Sequence, residues 1–155
     1  MNWEAIGAAA ELLAALAVIA TIAYLAAQIR QANKISKTNT VTELQARFDA
    51  INSTVVNNPE LRSVLRKKPP LTDDEVEQVY SFAHMSINVW ASVQNAYDND
   101  QIDQALYTVM MSDVRVAIQR WPNFKDAIDQ FLSHYPESKD LEIWDQLHRT
   151  EPDDA

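Results

Sequence analysis

The sequence predicts an all-α protein: a single N-terminal transmembrane helix followed by a small cytoplasmic helical bundle. Three observations lead there. Residues 5–27 form a run of 23 residues whose one charge is Glu11. Behind that run, apolar residues recur at steps of three and four, the period of a helix face, and never alternate as a strand requires. Finally, the 155 residues hold one glycine, Gly7, and no cysteine. That excludes Gly-rich phosphate loops, tight-turned β folds, disulfides, thiolate chemistry and Cys-based metal sites.

The first element is the apolar run. At about 1.5 Å per residue it reaches about 34 Å, enough for a hydrocarbon core of about 30 Å. From Leu12 to Ala27 there is no charge, and only Thr21 and Tyr24 carry a polar side-chain atom. This shorter part covers about 24 Å, so Glu11 falls near one boundary, with Trp3 and Tyr24 where interfacial aromatics lie. A cleaved signal peptide would open on positive charge, whereas residues 1–7 carry Glu4. The cations follow the run instead, as Arg30, Lys34 and Lys37. That asymmetry predicts the cytoplasmic membrane, with the N-terminus outside and the helical domain in the cytoplasm.

The next elements follow in order. Val41, Leu44, Phe48, Ile51 and Val55 mark one apolar stripe, on a helix that continues from the span because nothing between Gln28 and Thr40 breaks it. A short helix follows Pro59 and is ended by Pro69-Pro70. Thr72 and Glu75 form a capping box that opens a helix to about Tyr97. Its apolar set Val76, Val79, Tyr80, Ala83, Ile87 and Trp90 is joined by Phe82, Met85, Val89 and Val93, so it has two apolar faces and is predicted at the centre of the bundle. Asp98-Asn99-Asp100 is a turn, with Asp100 expected to cap a helix ending near Trp121. A helix over 123–134 follows Pro122, and Pro136 with Ser138 opens the last one, carrying Leu141, Ile143, Trp144 and Leu147.

Charge changes sign along this order. Residues 1–29 carry −2, residues 30–68 carry +5 and residues 69–155 carry −12, which sum to the net −9. The chain therefore divides into a transmembrane helix (1–30), a basic juxtamembrane helical stretch (31–68), an acidic helical domain (69–150) and a polar tail (151–155). So acidic a chain lacks the basic footprint of a nucleic-acid binder.

Parts of the chain resemble a known group. The opening Asn2-Trp3-Glu4-Ala5-Ile6-Gly7 and the stretch Tyr24-Leu25-Ala26-Ala27-Gln28-Ile29-Arg30-Gln31 are similar to a largely uncharacterised family of small bacterial proteins. Asn95-Ala96-Tyr97, Gln101-Ile102-Asp103 and Pro122-Asn123-Phe124 resemble the same pattern. The chain departs from it after Tyr97, where Asp98-Asn99-Asp100 replaces a glycine turn. The resemblance implies a bacterial origin, an N-terminal membrane helix and a short helical domain, and no activity.

Candidate sites begin in the span. Gly7, Glu11, Ala14, Val18, Thr21, Leu25 and Gln28 lie at alternating steps of three and four and share one helix face. Eleven of the 23 span residues are Ala. Small and polar residues let helices approach closely in lipid, and a carboxylate there needs a partner. The face is thus a predicted association surface for another membrane protein or a second copy. Arg30, Lys34, Lys37, Arg66, Lys67 and Lys68 are predicted to contact lipid headgroups of the bilayer, although cations also favour helix C-termini.

Other constellations fail their templates. Asp98, Asn99, Asp100 and Asp103 suggest calcium, but Ile102 and Asp103 occupy the fifth and sixth loop positions, which need a ligand and a glycine. Asp145 and His148 stand one turn apart without the second Glu-x-x-His of a di-metal bundle, and His84 has no acidic neighbour at helical spacing. No catalytic triad is readable. Trp90, Trp121 and Trp144, with Tyr80, Tyr97, Tyr107 and Tyr135, are assigned to core packing ahead of a ligand pocket.

The sequence thus predicts a non-enzymatic interaction or accessory subunit of a membrane complex, with no cofactor or metal and with a cytoplasmic protein partner for the acidic domain. A homo-oligomeric pore lined by Glu11, Thr21 and Gln28 is the alternative. A membrane-tethered enzyme or ligand-binding domain comes last.

Overall fold

A computed structural model describes residues 2–148, with Ala5, Pro136, Glu137 and 146–148 described by their backbone alone. The predicted polar tail, 151–155, and the side chains of Leu147 and His148 lie outside what is described. Every regular element among the described residues is helical. The chain forms two compact units, Met1–Asn39 and Thr40–Ala155.

Helix α1, Trp3–Asn57, runs unbroken through both units. Between Ala8 and Asn58 there is neither Gly nor Pro, so nothing interrupts its hydrogen-bond ladder. In the first unit Trp3, Leu12, Leu13, Leu16, Ile19, Ile22 and Tyr24 are all exposed. The apolar stretch that begins at Ile6 is long and apolar enough to cross a membrane, and none of it is buried within the chain. A core helix of a water-soluble fold buries such a surface, and this one leaves it exposed.

The second unit begins within α1. Leu44 is buried, and Val41, Phe48, Ile51 and Val55 pack against the same core, as the stripe predicts. Proline ends α1: Pro59 holds Asn58 extended, and the Asn58 side chain accepts from the Leu61 amide at 2.9 Å to start α2, Pro59–Val64. This helix stops well before Pro69-Pro70, which is joined by a cis peptide. Arg66, Lys67 and Lys68 therefore lie beyond its C-terminus and do not form its last turn, where Arg62 stands.

Helix α3, Asp73–Asp98, starts at the predicted capping box. Thr72 Oγ1 accepts from the Glu75 amide at 3.3 Å, and the Glu75 carboxylate accepts from the Thr72 amide at 2.8 Å. Its two apolar faces meet α2 on one side and α4 (Gln104–Arg120), α5 (Pro122–Ser133) and α6 (Glu142–His148) elsewhere, so it is the central helix. Val76 departs from its predicted core position and is exposed, because it lies in the first turn, before α3 enters the core.

Two expectations are corrected. Asp103, and not Asp100, caps α4 by accepting from the Leu106 amide at 2.8 Å. Asp100 takes a left-handed conformation (φ 55), the conformation that Gly would supply, and the turn then inserts Ile102 into the core. Nor is the last segment one helix. A 3-10 helix spans Pro136–Asp140, Leu141 is extended, and α6 follows. Gln94 of α3 fixes that break, donating to the Asp140 carbonyl at 3.0 Å and accepting from the Glu142 amide at 2.8 Å.

Side chains fully buried in the core include Phe124, Leu65, Ile128, Leu132, Ile143, Val79, Val93 and Val114. Each contributes about 1.5–3 kcal/mol by leaving water. Most come from α3 and α5, so the core belongs entirely to the second unit.

Candidate functional site

The association face of the first unit is a row of exposed side chains. Gly7, Glu11, Ala14, Val18, Thr21, Leu25 and Gln28 are all exposed. A Cβ added at Gly7 would meet nothing within 4 Å, so packing inside the chain does not require glycine there. The Thr21 hydroxyl donates to the Ala17 carbonyl at 2.8 Å, so its one donor is satisfied within the helix. Arg30, Lys34 and Lys37 are likewise exposed on this unit.

Arg66, Lys67 and Lys68 belong to the second unit and behave differently from one another. Lys67 is held by Glu75, with its Nζ 2.6 Å from the nearer carboxylate oxygen, so it is tied to the capping box. That ammonium, followed by the Thr72 amide, lowers the Glu75 carboxyl from its ordinary range. Arg66 and Lys68 project from the turn as exposed cations.

The rest of the second unit was assigned to core packing, and most of its aromatic rings are packed. Phe124 meets Phe82 at 5.2 Å, and Trp90 and Trp121 edge-on at 5.9 and 5.8 Å between centroids. Tyr97 stacks on Tyr107 at 4.3 Å, and the Tyr107 hydroxyl donates to the Glu142 carboxylate. Burial first, and then that carboxylate, push the Tyr107 phenol above its ordinary value.

Beside this packed cluster, however, lies a cavity of about 230 Å³. One wall is Phe48, Ile51 and Val55 of α1, and another is Phe82, Ser86 and Trp90 of α3. The remainder is Asn52 of α1 and Asp113, Val116, Ala117 and Arg120 of α4, with Trp121 and Phe124. Two small residues leave the room: Ala117, and Ser86, whose hydroxyl turns back onto the Phe82 carbonyl at 2.9 Å. Pro122 sets Trp121 in place. It forces the preceding residue extended (φ −131, ψ 92), so Trp121 closes α4 and opens α5 at once. Asp113 and Arg120 are exposed at the rim. Apolar surroundings raise the Asp113 carboxyl from its ordinary range, and the Arg120 guanidinium lies 5.8 Å from the Trp121 ring centroid.

The cavity joins residues that sequence reasoning did not group. Asp113, Val116, Ala117 and Arg120 do carry a signal, since steps of three, one and three put them on one face of α4. Their meeting with Trp90 and Phe48 carries none, because those residues stand on other helices.

The turn at Asp98, Asn99, Asp100 and Asp103 is hydrogen-bonded within itself. The Asn99 side chain donates to the Asn95 carbonyl at 2.8 Å, and Asp103 is engaged as a cap. Among the described residues no three His, Cys, Asp or Glu side chains gather in a metal-binding group. His84 rests against the Phe131 ring at 4.7 Å. Comparison with protein-family models, with curated proteins and with solved structures finds no match to this chain.

Proposed function

We propose that the chain is a single-span membrane protein that acts, without catalysis of its own, as an interaction or accessory subunit of a membrane complex. The observation that carries this reading is the unburied apolar length of α1 in the first unit. A surface of that size is stable only in lipid or against another helix. Gly7, Glu11, Ala14, Val18, Thr21 and Gln28 supply the association face. Nothing inside the chain calls for glycine at position 7, although glycine weakens a helix interior by about 1 kcal/mol relative to alanine. A close neighbour in the bilayer accounts for it.

The cations Arg30, Lys34 and Lys37 follow the span and support a cytoplasmic second unit with the N-terminus outside. The resemblance of the opening residues to small bacterial proteins supports the bacterial cytoplasmic membrane as the location. Arg66 and Lys68 add contacts to anionic headgroups, and the acidic remainder of the unit faces a cytoplasmic protein. Native extraction in mild detergent, followed by intact-mass measurement of the assembly, tests the reading. A defined complex with one or more other chains is the expected result. A monodisperse single chain in detergent would overturn it.

A further inference from the structure

A groove of about 510 Å³ runs along α2, lined by Pro59, Arg62, Ser63, Arg66 and Lys67. Pro59, Arg62, Ser63 and Arg66 stand at steps of three, one and three, which a helix puts on one face. The chain stays helical far enough to include Arg66. Leu65 keeps right-handed dihedrals, and the Arg66 amide donates to the Ser63 carbonyl at 3.1 Å. Three cations and no carboxylate line this groove, in a chain whose net charge is −9. Lys67 is balanced by Glu75. Among the described residues, however, Arg62 and Arg66 form no ion pair and the Ser63 hydroxyl no hydrogen bond. Carbonyls at a helix C-terminus often engage nearby cations. Here Asn123 donates to the carbonyls of Val64 and Lys67, and the Arg66 amide takes that of Ser63. Two guanidinium forks and a hydroxyl are left as donors, with two positive charges that no bonded carboxylate offsets.

We propose that this groove is a binding site for a phosphomonoester, either a soluble one or the headgroup of a lipid that ends in one. A guanidinium never loses its proton in a protein and pairs bidentately with phosphate oxygens. A phosphomonoester carries nearly two negative charges at neutral pH, which matches Arg62 and Arg66 together. A sulfate ester or a phosphodiester carries one and leaves a guanidinium unmatched. The Ser63 hydroxyl donates to the same group. An extended polyanion fits less well, because Ser63 also borders a second groove that holds Glu60, Asp74, Glu75 and Glu77. A ligand long enough to reach both grooves meets four carboxylates, whereas a small one meets the guanidinium groups alone. Such a site selects its ligand by charge, which the headgroup contacts of Arg66 and Lys68 do not, and it lies within the second unit. Its failure would therefore leave the reading of the span standing.

The test is titration calorimetry on the full chain in phosphatidylcholine nanodiscs, with phenyl phosphate and phenyl sulfate as probes. The two share a ring and a tetrahedral oxyanion and differ by one charge. Phenyl phosphate should bind saturably and about tenfold more tightly than phenyl sulfate. Arg62→Gln and Arg66→Gln should each weaken it about tenfold, and Ser63→Ala about threefold. Helix content should stay intact in all three, since these side chains hold no other part of the fold. Arg115→Gln, an exposed cation on α4, should change nothing. Discs containing phosphatidic acid then identify the source, against discs of equal charge made with phosphatidylglycerol. Weaker phenyl phosphate binding in the phosphatidic acid discs alone assigns the groove to the lipid headgroup, and equal binding in both assigns it to a soluble ester. Equal affinity for the two probes would overturn the proposal. So would unchanged binding in the double variant R62Q/R66Q, an equal loss in Arg115→Gln, or no saturable heat in the millimolar range.

Discussion

Asn123 illustrates how much a single side chain can hold. It is buried, and its amide nitrogen donates to the Val64 carbonyl at 2.8 Å and the Lys67 carbonyl at 2.7 Å, so α5 satisfies the frayed end of α2. Asn123→Asp would turn an acceptor toward two acceptors and should cost about 2–4 kcal/mol in chemical denaturation, with partial recovery at low pH once the carboxyl can donate. Tyr107 acts at the other end of the pH scale. Burial and the Glu142 carboxylate raise its phenol, so its folded value exceeds the unfolded value of about 10. Its contribution is therefore fully present below about pH 10 and is lost as pH rises through the folded value. Alkaline absorbance titration should show one tyrosine ionising last, and Tyr107→Phe should remove that final step. Little of this was legible beforehand. Tyr107 was assigned to the core as a ring, but its bond to Glu142 and the two acceptors of Asn123 carried no signal, because those partners lie 35 and 56 or more positions away in sequence.

Helix ends and stripes behave more simply, because their causes are local. Thr72→Ala removes one half of the capping box and should cost about 1 kcal/mol of the second unit's stability. Glu75, the other half, has its carboxyl lowered chiefly by Lys67. Its contribution is present above the ordinary carboxylate value and is lost as pH falls through the lowered one. Acid unfolding of Glu75→Gln should accordingly lack the part of the slope that the wild type shows in that window. Leu44 tests the stripe on α1: it is 3% exposed in the shared core, and Leu44→Ala should cost about 2–5 kcal/mol in denaturant. The period of three and four made this stripe and both faces of α3 readable. The wrong cap on α4 shows the limit. Asp100 and Asp103 are equally good capping types, and what separates them is the left-handed turn that buries Ile102.

At the scale of the whole molecule, the first unit leaves its apolar surface exposed while the second holds the core. The long apolar N-terminal helix was legible from composition alone, since 16 residues without charge need no partner to identify them. The cavity was not, because its room comes from Ser86 and Ala117, on different helices, and no spacing rule brings those together. Association through the span should be lost in Gly7→Leu and in Glu11→Leu, read as a fall in assembly mass in mild detergent. Gly7→Leu is the cleaner of the two because no atom of this chain stands in its way. Unchanged mass in both variants would place the contact on another face.

The distribution of indole rings has a practical consequence. Trp3 stands alone in the first unit, while Trp90, Trp121 and Trp144 belong to the second. The chain's tryptophan emission is therefore already divided between the two units. Replacing Trp3 by phenylalanine would leave a protein whose tryptophan fluorescence, excited at the red edge where Tyr24 does not absorb, comes only from the second unit, and its unfolding could be followed without a foreign dye. Quenchers confined to the acyl chains would then darken the original chain and spare the substituted one.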